Sequence, residues 1–402
     1  MAKIVVIGGS FAGLTAALEA RRKLGPEHKV LMISKTDNFV FIPSMIWVPF
    51  GWREVEDVTA PLRPILNKAG VEFMHAEATK ILPKENKVKT SQGVIDYDYL
   101  VVATGPDLDF DSVEGLGPNK GNVECICNPK SALEARKHWK EFLKNPGTVV
   151  IGAAPAAGCA GAAYEFLFNM EYALRKNGVR KKTDLYWITP EPFLGHFGIE
   201  GIAGGEGMLK AFMKMFNIKY ITEAAIEKVD KEKVYLKGGK VIPYKFSMIM
   251  PAFMGAKVIR DSEGLANPRG FIPTHDSYQH KEFPNIFAAG IAVDVPPPFK
   301  PGKVPLNVPK TGYPSDEAGK VAAENIKRLI EGRYDLQSKP FGKIPGLCIM
   351  DAGHKEVIIV SNHLFKPRQF AVMIPNVFYD INKRLFEKYF MWKVRTGRSY
   401  LP

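Results

Sequence analysis

The 402-residue chain is 46% hydrophobic and carries a formal net charge of +13, which describes a globular protein of two or three domains with an anionic partner: nucleic acid, an acidic membrane surface, or an anionic cofactor or substrate. Its four cysteines, Cys125, Cys127, Cys159 and Cys348, are too few for a disulfide scaffold and lack the paired spacing of a structural zinc site, so no metal is expected. No stretch approaches the roughly 20 apolar residues of a spanning helix, and no signal peptide is expected because Met-Ala-Lys leads straight into a strand; membrane contact, if made, is expected to be peripheral.

Residues 3–9 read as a buried strand running into a glycine turn, residues 10–24 as a helix, and residues 29–34 as a second strand, together a β-α-β unit. The turn Gly8-Gly9-Ser10-Phe11-Ala12-Gly13 fits the dinucleotide fingerprint, with Ser10 replacing the second glycine. Gly8 makes the tight turn, small Ser10 admits a pyrophosphate, and Gly13 lets helix and strand approach. The helix N-terminus then offers free N–H groups to phosphate. Ser34-Lys35 stands where an acid commonly holds a ribose hydroxyl, and Ser34 can make that bond. Residues 98–105 read as another strand, ending Ala103-Thr104-Gly105.

The pattern recurs with a strand at 148–152, a turn and helix over 153–176 and a strand at 184–189. The second turn, Gly152-Ala153-Ala154-Pro155-Ala156-Ala157-Gly158-Cys159, lacks glycines where a pyrophosphate would approach, so a degraded nucleotide site is expected. Residues 285–292 read as a strand that ends near Gly290, followed by a helix over 315–330. Between them, loop 295–309 holds six prolines, which exclude helix or central strand. Short strands are expected at 347–350 and 356–360, and helix from 376 to the end. The expected boundaries are 1–110 for a first domain, 111–250 for a second, 251–332 for the return to the first, and 333–402 for a C-terminal region.

This order resembles flavoproteins with two dinucleotide folds. The segments Gly8–Gly13, Cys127, Cys159-Ala-Gly-Ala-Ala-Tyr-Glu165, Gly195-His196-Phe-Gly198, Gly290-Ile-Ala292, Val308-Pro-Lys-Thr-Gly312 and Cys348 give a resemblance to the sulfide:quinone oxidoreductase family over nearly the whole length. The resemblance implies an α/β fold of two Rossmann-like domains, like glutathione reductase, with a C-terminal membrane-associating region. It implies FAD as cofactor and sulfide and a membrane quinone as substrates. FAD is then expected against Gly8, Gly9, Ser10, Ala12, Gly13, Ser34, Lys35, Ala103, Thr104, Gly105, Gly290, Lys310, Thr311 and Gly312. Cys159 and Cys348 fall at the places of the sulfide-reacting pair. Cys127 falls near the flavin edge, where relatives tether FAD or release product. Glu165 and His196 match family acid/base groups. A second family histidine is absent, replaced by Asn128-Pro129-Lys130-Ser131, and Cys125 has no counterpart and reads as structural.

The residue types suit that chemistry. A disulfide or polysulfide bridging Cys159 and Cys348 is electrophilic toward sulfide, and attack on it leaves a persulfide and a thiolate. Cys159 opens a helix, whose dipole is expected to lower the thiol's pKa.

Phe378, Ile381, Leu385, Tyr389 and Trp392 recur at spacings of three and four, flanked by Lys383, Arg384, Lys388, Lys393, Arg395 and Arg398. That pattern suits an in-plane membrane helix, and equally a helix docked on its own core. Phe365, Phe370 and Phe378 are candidates for the quinone slot, since aromatics sandwich a flat ring. The segment 46–52 is a second membrane candidate or part of the core. A type II NADH:quinone dehydrogenase, a flavoprotein subunit with a cytochrome partner and a flavin-binding sensor remain as alternatives. No nucleic-acid motif supports the last, and self-association stays open.

Overall fold

The computed structural model describes residues 1–353, 355–376 and 381–402. Five parallel strands form the first sheet, in the order Ile286–Ala288, Tyr99–Val102, Lys3–Ile7, Lys29–Ser34, Glu72–His75. Except in the edge strand Glu72–His75, their apolar runs are buried on both faces, as a parallel sheet covered on both sides requires. Helix α1 (Phe11–Lys23) follows the first strand and ends on Arg21, Arg22 and Lys23, which complement the dipole of its last turn.

The second sheet, also parallel, runs Ile218–Ile221, Leu185–Ile188, Val149–Ala153, Phe246–Met250. Helix α2 (Pro129–Lys144) precedes it, with Pro129 in the first turn and the Asn128 side chain accepting from Ser131 N at 2.9 Å. Helix α3 (Ala160–Lys176) begins after its cap Cys159, where the sequence ends the second turn. Pro155 and the left-handed Ala156 (φ 55°) hold the preceding residues in a loop. An antiparallel ribbon, Pro106–Asp109 with Ala252–Gly255, links the two sheets. The chain then supplies the edge strand Ile286–Ala288 and helix α4 (Gly312–Ile330), which packs along α1.

The C-terminal region is an antiparallel sheet, Gly346–Asp351, Glu356–Ser361, Ala371–Asn376, followed by helix α5 (Ile381–Thr396). The third strand takes residue 376, which the sequence pattern assigns to helix.

The last helix docks one face on the core and turns the other outward. Phe390 sits in an aromatic cluster with Phe11 (ring centroids 5.0 Å apart) and Phe41 (5.3 Å). Lys393 and Lys383, expected among the basic flanks, are instead buried. Lys393 Nζ lies 2.7 Å from Asp316 Oδ2, and the buried Glu387 accepts from Arg53 Nε at 3.0 Å. A lysine this deep is stable only when paired. Ile381, Leu385 and Trp392 face outward with Arg384, Lys388, Arg395 and Arg398. Ile46, Trp47 and Val48 are core.

Candidate active site

The first glycine turn is shaped for close contact. Gly8 has φ +111°, and a Cβ there would overlap the Ala103 carbonyl oxygen. A Cβ on Gly13 would overlap the carbonyl oxygen of Gly8, so strand and helix meet backbone to backbone. Ser10 caps α1 and Thr311 caps α4, neither with a side-chain hydrogen bond, leaving N–H groups of both first turns to a ligand. The two turns adjoin: a Cβ on Gly290 would lie 3.0 Å from Ala12 Cβ, and one on Gly312 2.9 Å from the Phe11 ring. Ser34 is buried beneath Gly9, whereas Lys35 is exposed and its carbonyl meets His75 Nε2 at 3.2 Å. Thr104 and Gly105 follow the strand Tyr99–Val102, which pairs with Lys3–Ile7. Lys310 is half-buried; its Nζ donates to the carbonyls of Ile291 (3.0 Å) and Val293 (2.8 Å) and lies 3.6 Å from the Phe271 ring centroid. Burial lowers its pKa to about 7. The cradle and the two uncapped helix ends fit an FAD.

The second turn is closed. Ala156 N donates to Pro305 O (2.7 Å), Ala157 N to Ala154 O (3.0 Å) and Gly158 N to Pro251 O (3.0 Å). Asn307 Nδ2 also donates to Ala156 O at 2.9 Å. Pro305 of the proline-rich loop, Ala154 and Pro251 thus take up donors that a pyrophosphate would need. Glu191, just beyond the strand Leu185–Ile188, is likewise turned inward. It accepts from Phe197 N (2.6 Å), the Tyr164 hydroxyl (2.8 Å) and the Thr189 hydroxyl (2.8 Å). Burial raises its pKa to about 7. It thereby braces the loop that carries His196. The buried His196 accepts at Nδ1 from Gly198 N (3.2 Å) and packs edge-on to Phe299 at 4.8 Å; burial lowers its pKa, favouring the neutral ring.

Three of the cysteines, all free thiols, converge. Cys159 caps α3, and its sulfur meets the N–H groups of Ala162 and Gly161. Burial outweighs them and raises the thiol's pKa, so the expected lowering is reversed. In the strand Gly346–Asp351, alternation sends Leu347 and Ile349 outward and Cys348 inward, in register with Ile359 and Met373. Cys348 is exposed by area, yet the protein packed around its sulfur desolvates the thiol and pushes it up to about 12. Its thiol feels the charges of Glu165, Lys383 and Cys159, in that order. Cys127 Sγ lies 3.6 Å from Met250 Sδ and feels Cys159 in turn.

Glu165 is the hub. It lies buried on α3 and pairs with Lys383 Nζ from α5, while Asp351 N donates to it at 3.4 Å. Burial raises its pKa; Lys383 opposes this and the Asp351 carboxylate adds to it. Asp351 itself accepts from Trp47 Nε1 at 2.6 Å. Lys383 and Asp351 are site residues that the sequence reading misses. Lys383, Glu387, Phe390 and Val394, at spacings of four, three and four, mark the buried face of α5 and were the available signal.

The quinone candidates scatter. Phe365 is half-buried against Phe341 (5.9 Å) and Gly342. Phe370 is exposed, and Phe378 lies outside the described residues. Leu347, Phe370, Val372, Ile374, Ile381 and Leu385 are large exposed apolar side chains on the outer sheet and α5. Among the described residues no helix is long and apolar enough to cross a membrane.

Residues 2–302 match the model of the family described as pyridine nucleotide-disulphide oxidoreductase. Over 405 aligned residues the chain is 36% identical to the sulfide-quinone reductase of Aquifex aeolicus, covering 99% of this chain and 92% of that one. The X-ray structure of the sulfide:quinone oxidoreductase from the same bacterium superposes with a TM-score of 0.93 at 35% identity, again over 99% and 92% of the two chains. A mitochondrial sulfide:quinone oxidoreductase of Dictyostelium discoideum is 27% identical over 73% of this chain and 66% of its own length.

Proposed function

The chain belongs to the pyridine nucleotide-disulphide oxidoreductase family and, within it, to the sulfide:quinone oxidoreductases, and we propose that Cys159 and Cys348 are the pair at which it oxidises sulfide. It is an FAD-dependent oxidoreductase with sulfide as donor and a quinone as acceptor. One observation carries the proposal: two cysteines from distant parts of the chain share the same buried Glu165–Lys383 pair.

When the pair is bridged through sulfur, hydrosulfide attacks a bridging atom. One cysteine keeps the added sulfur as a persulfide and the other leaves as a thiolate. In a site where burial disfavours both thiolates, the Lys383 cation offsets part of that cost. Glu165, its pKa raised, takes up the proton that sulfide sheds. His196, held neutral on its braced loop, is a second proton acceptor. FAD, bound by Gly8–Gly13, Ser34, Ala103–Gly105, Gly290 and Lys310–Gly312, supplies a two-electron acceptor that quinone can reoxidise.

The consumed donors of the second turn argue against a pyridine-nucleotide donor. The exposed apolar face beside Arg384, Lys388 and Arg395 supports peripheral attachment to an anionic bilayer through α5 and the outer sheet. Quinone would then enter from that side, with Phe365, Phe370 and Phe378 as candidate contacts.

The test is sulfide-dependent reduction of a soluble quinone analogue. Cys348→Ser is expected to lower turnover about 100-fold or more, and turnover near wild type in that variant sinks the assignment.

A further inference from the structure

Cys125, read from sequence as structural, has a sulfur neighbour. It is buried at the approach to α2, and Cys127 N donates to its Sγ at 3.4 Å. The two thiols are in hydrogen-bond reach of each other, and the Ser131 hydroxyl also reaches Cys125. Cys127 is the more accessible of the two. Its Sγ sits 3.6 Å from Met250 Sδ and feels the charge of Cys159. Cys127 thus neighbours Cys125 and also feels the charge of Cys159, a member of the sulfide-reacting pair. The hydrogen bond from Cys127 lowers the pKa of Cys125, and the same contact raises that of Cys127. Of the two, Cys125 is therefore the one favoured as thiolate, with the hydrogen bonds from Cys127 and Ser131 to support the charge.

We propose that Cys125 and Cys127 form a Cys-x-Cys dithiol–disulfide couple that releases the sulfur product, Cys125 being the nucleophile. The proposal rests on the sulfide reading above. Persulfide exchange loads the couple: Cys127, passing its proton to Cys125, attacks the outer sulfur of a Cys159 persulfide. This gives a Cys127 persulfide and a Cys159 thiolate. Once the chain on Cys127 holds two or more added sulfurs and Cys125 has lost its proton to solvent, the Cys125 thiolate attacks Cys127 Sγ. The Cys125–Cys127 bond forms, the bond from Sγ to the chain breaks, and the chain leaves as a hydropolysulfide anion. Hydrosulfide, the enzyme's own substrate, then opens the disulfide at Cys127 Sγ and restores a Cys127 persulfide and a Cys125 thiolate. Each of these steps is thiol exchange, so no external oxidant is consumed.

The test combines acid-quenched, alkylated peptide mapping by mass spectrometry with turnover of the FAD-loaded enzyme on sulfide and a soluble quinone analogue. During turnover the wild type is expected to yield a Cys125–Cys127 peptide lighter by two hydrogens. Cys125→Ser and Cys125→Ala are expected to accumulate sulfur chains on Cys127, with steady-state turnover down about tenfold and the first flavin reduction by sulfide down less than twofold. Cys125 alkylated as a free thiol throughout, with both variants turning over like wild type, overturns the proposal; so does a flavin covalently attached to Cys127. In those cases sulfide still bleaches the flavin and the functional reading survives. Failure of sulfide to bleach the wild-type flavin strikes the functional reading first, and the proposal with it.

Discussion

At the residue scale the site depends on buried charge. Lys383 is the cation that offsets Glu165 in a pocket also carrying Asp351. Removing one member of such a pair typically costs ~3–5 kcal/mol. Lys383→Met is expected to leave Glu165 protonated at neutral pH. The rate of flavin reduction by sulfide should then fall about 10- to 100-fold at pH 7 and recover partly as pH rises. A pH–rate profile checks this; an unshifted profile removes Glu165 from the proton path. Glu191 gives a separate signature. Its pKa rises from 4.5 to about 7 on folding, so within that window the native state binds more protons than the unfolded chain. Stability contributed by the protonated group is present below 4.5 and is lost as pH rises toward 7, by about 3 kcal/mol. Glu191→Gln should flatten that part of the curve, which denaturant titrations at pH 5 and pH 7.5 measure.

At the scale of elements, α5 serves both the interior and the surface. Its inner face contributes Lys383, Glu387, Phe390 and Lys393 to buried pairs and to the aromatic cluster beside the first glycine turn. Its outer face presents Ile381, Leu385 and Trp392. Leu385→Asp and Ile374→Asp alter the outward face alone. They are expected to weaken co-sedimentation with anionic vesicles severalfold while the flavin of the detergent-free enzyme is still reduced by sulfide at the wild-type rate. Unchanged sedimentation contradicts attachment through this face. The sequence carried the outer face clearly, because apolar residues at helical spacing stand out against polar neighbours. It hid the inner face, because buried lysines look like surface lysines until their partners, Glu165 and Asp316, are brought in from other elements.

At the scale of the whole molecule, the parallel sheets were legible because strands buried on both faces leave continuous apolar runs, as in residues 3–7 and 149–153. The first glycine turn was legible because its geometry admits few residue types, as the Gly8 and Gly13 contacts make plain. The partners that close the second turn, the Pro305 and Pro251 carbonyls, were not, because they come from other parts of the chain. Nor was the third C-terminal strand, whose apolar residues face outward as well as inward. The convergence of Cys159, Cys348 and Glu165 is a property of the assembled fold, and the account stands on it. Anaerobic mixing with sulfide, followed by the flavin absorbance in wild type and Cys159→Ser, tests it most directly. Rapid bleaching of the wild type and a variant that stays oxidised are expected; a wild-type flavin that stays oxidised, or a variant that bleaches as fast, would overturn the role of Cys159.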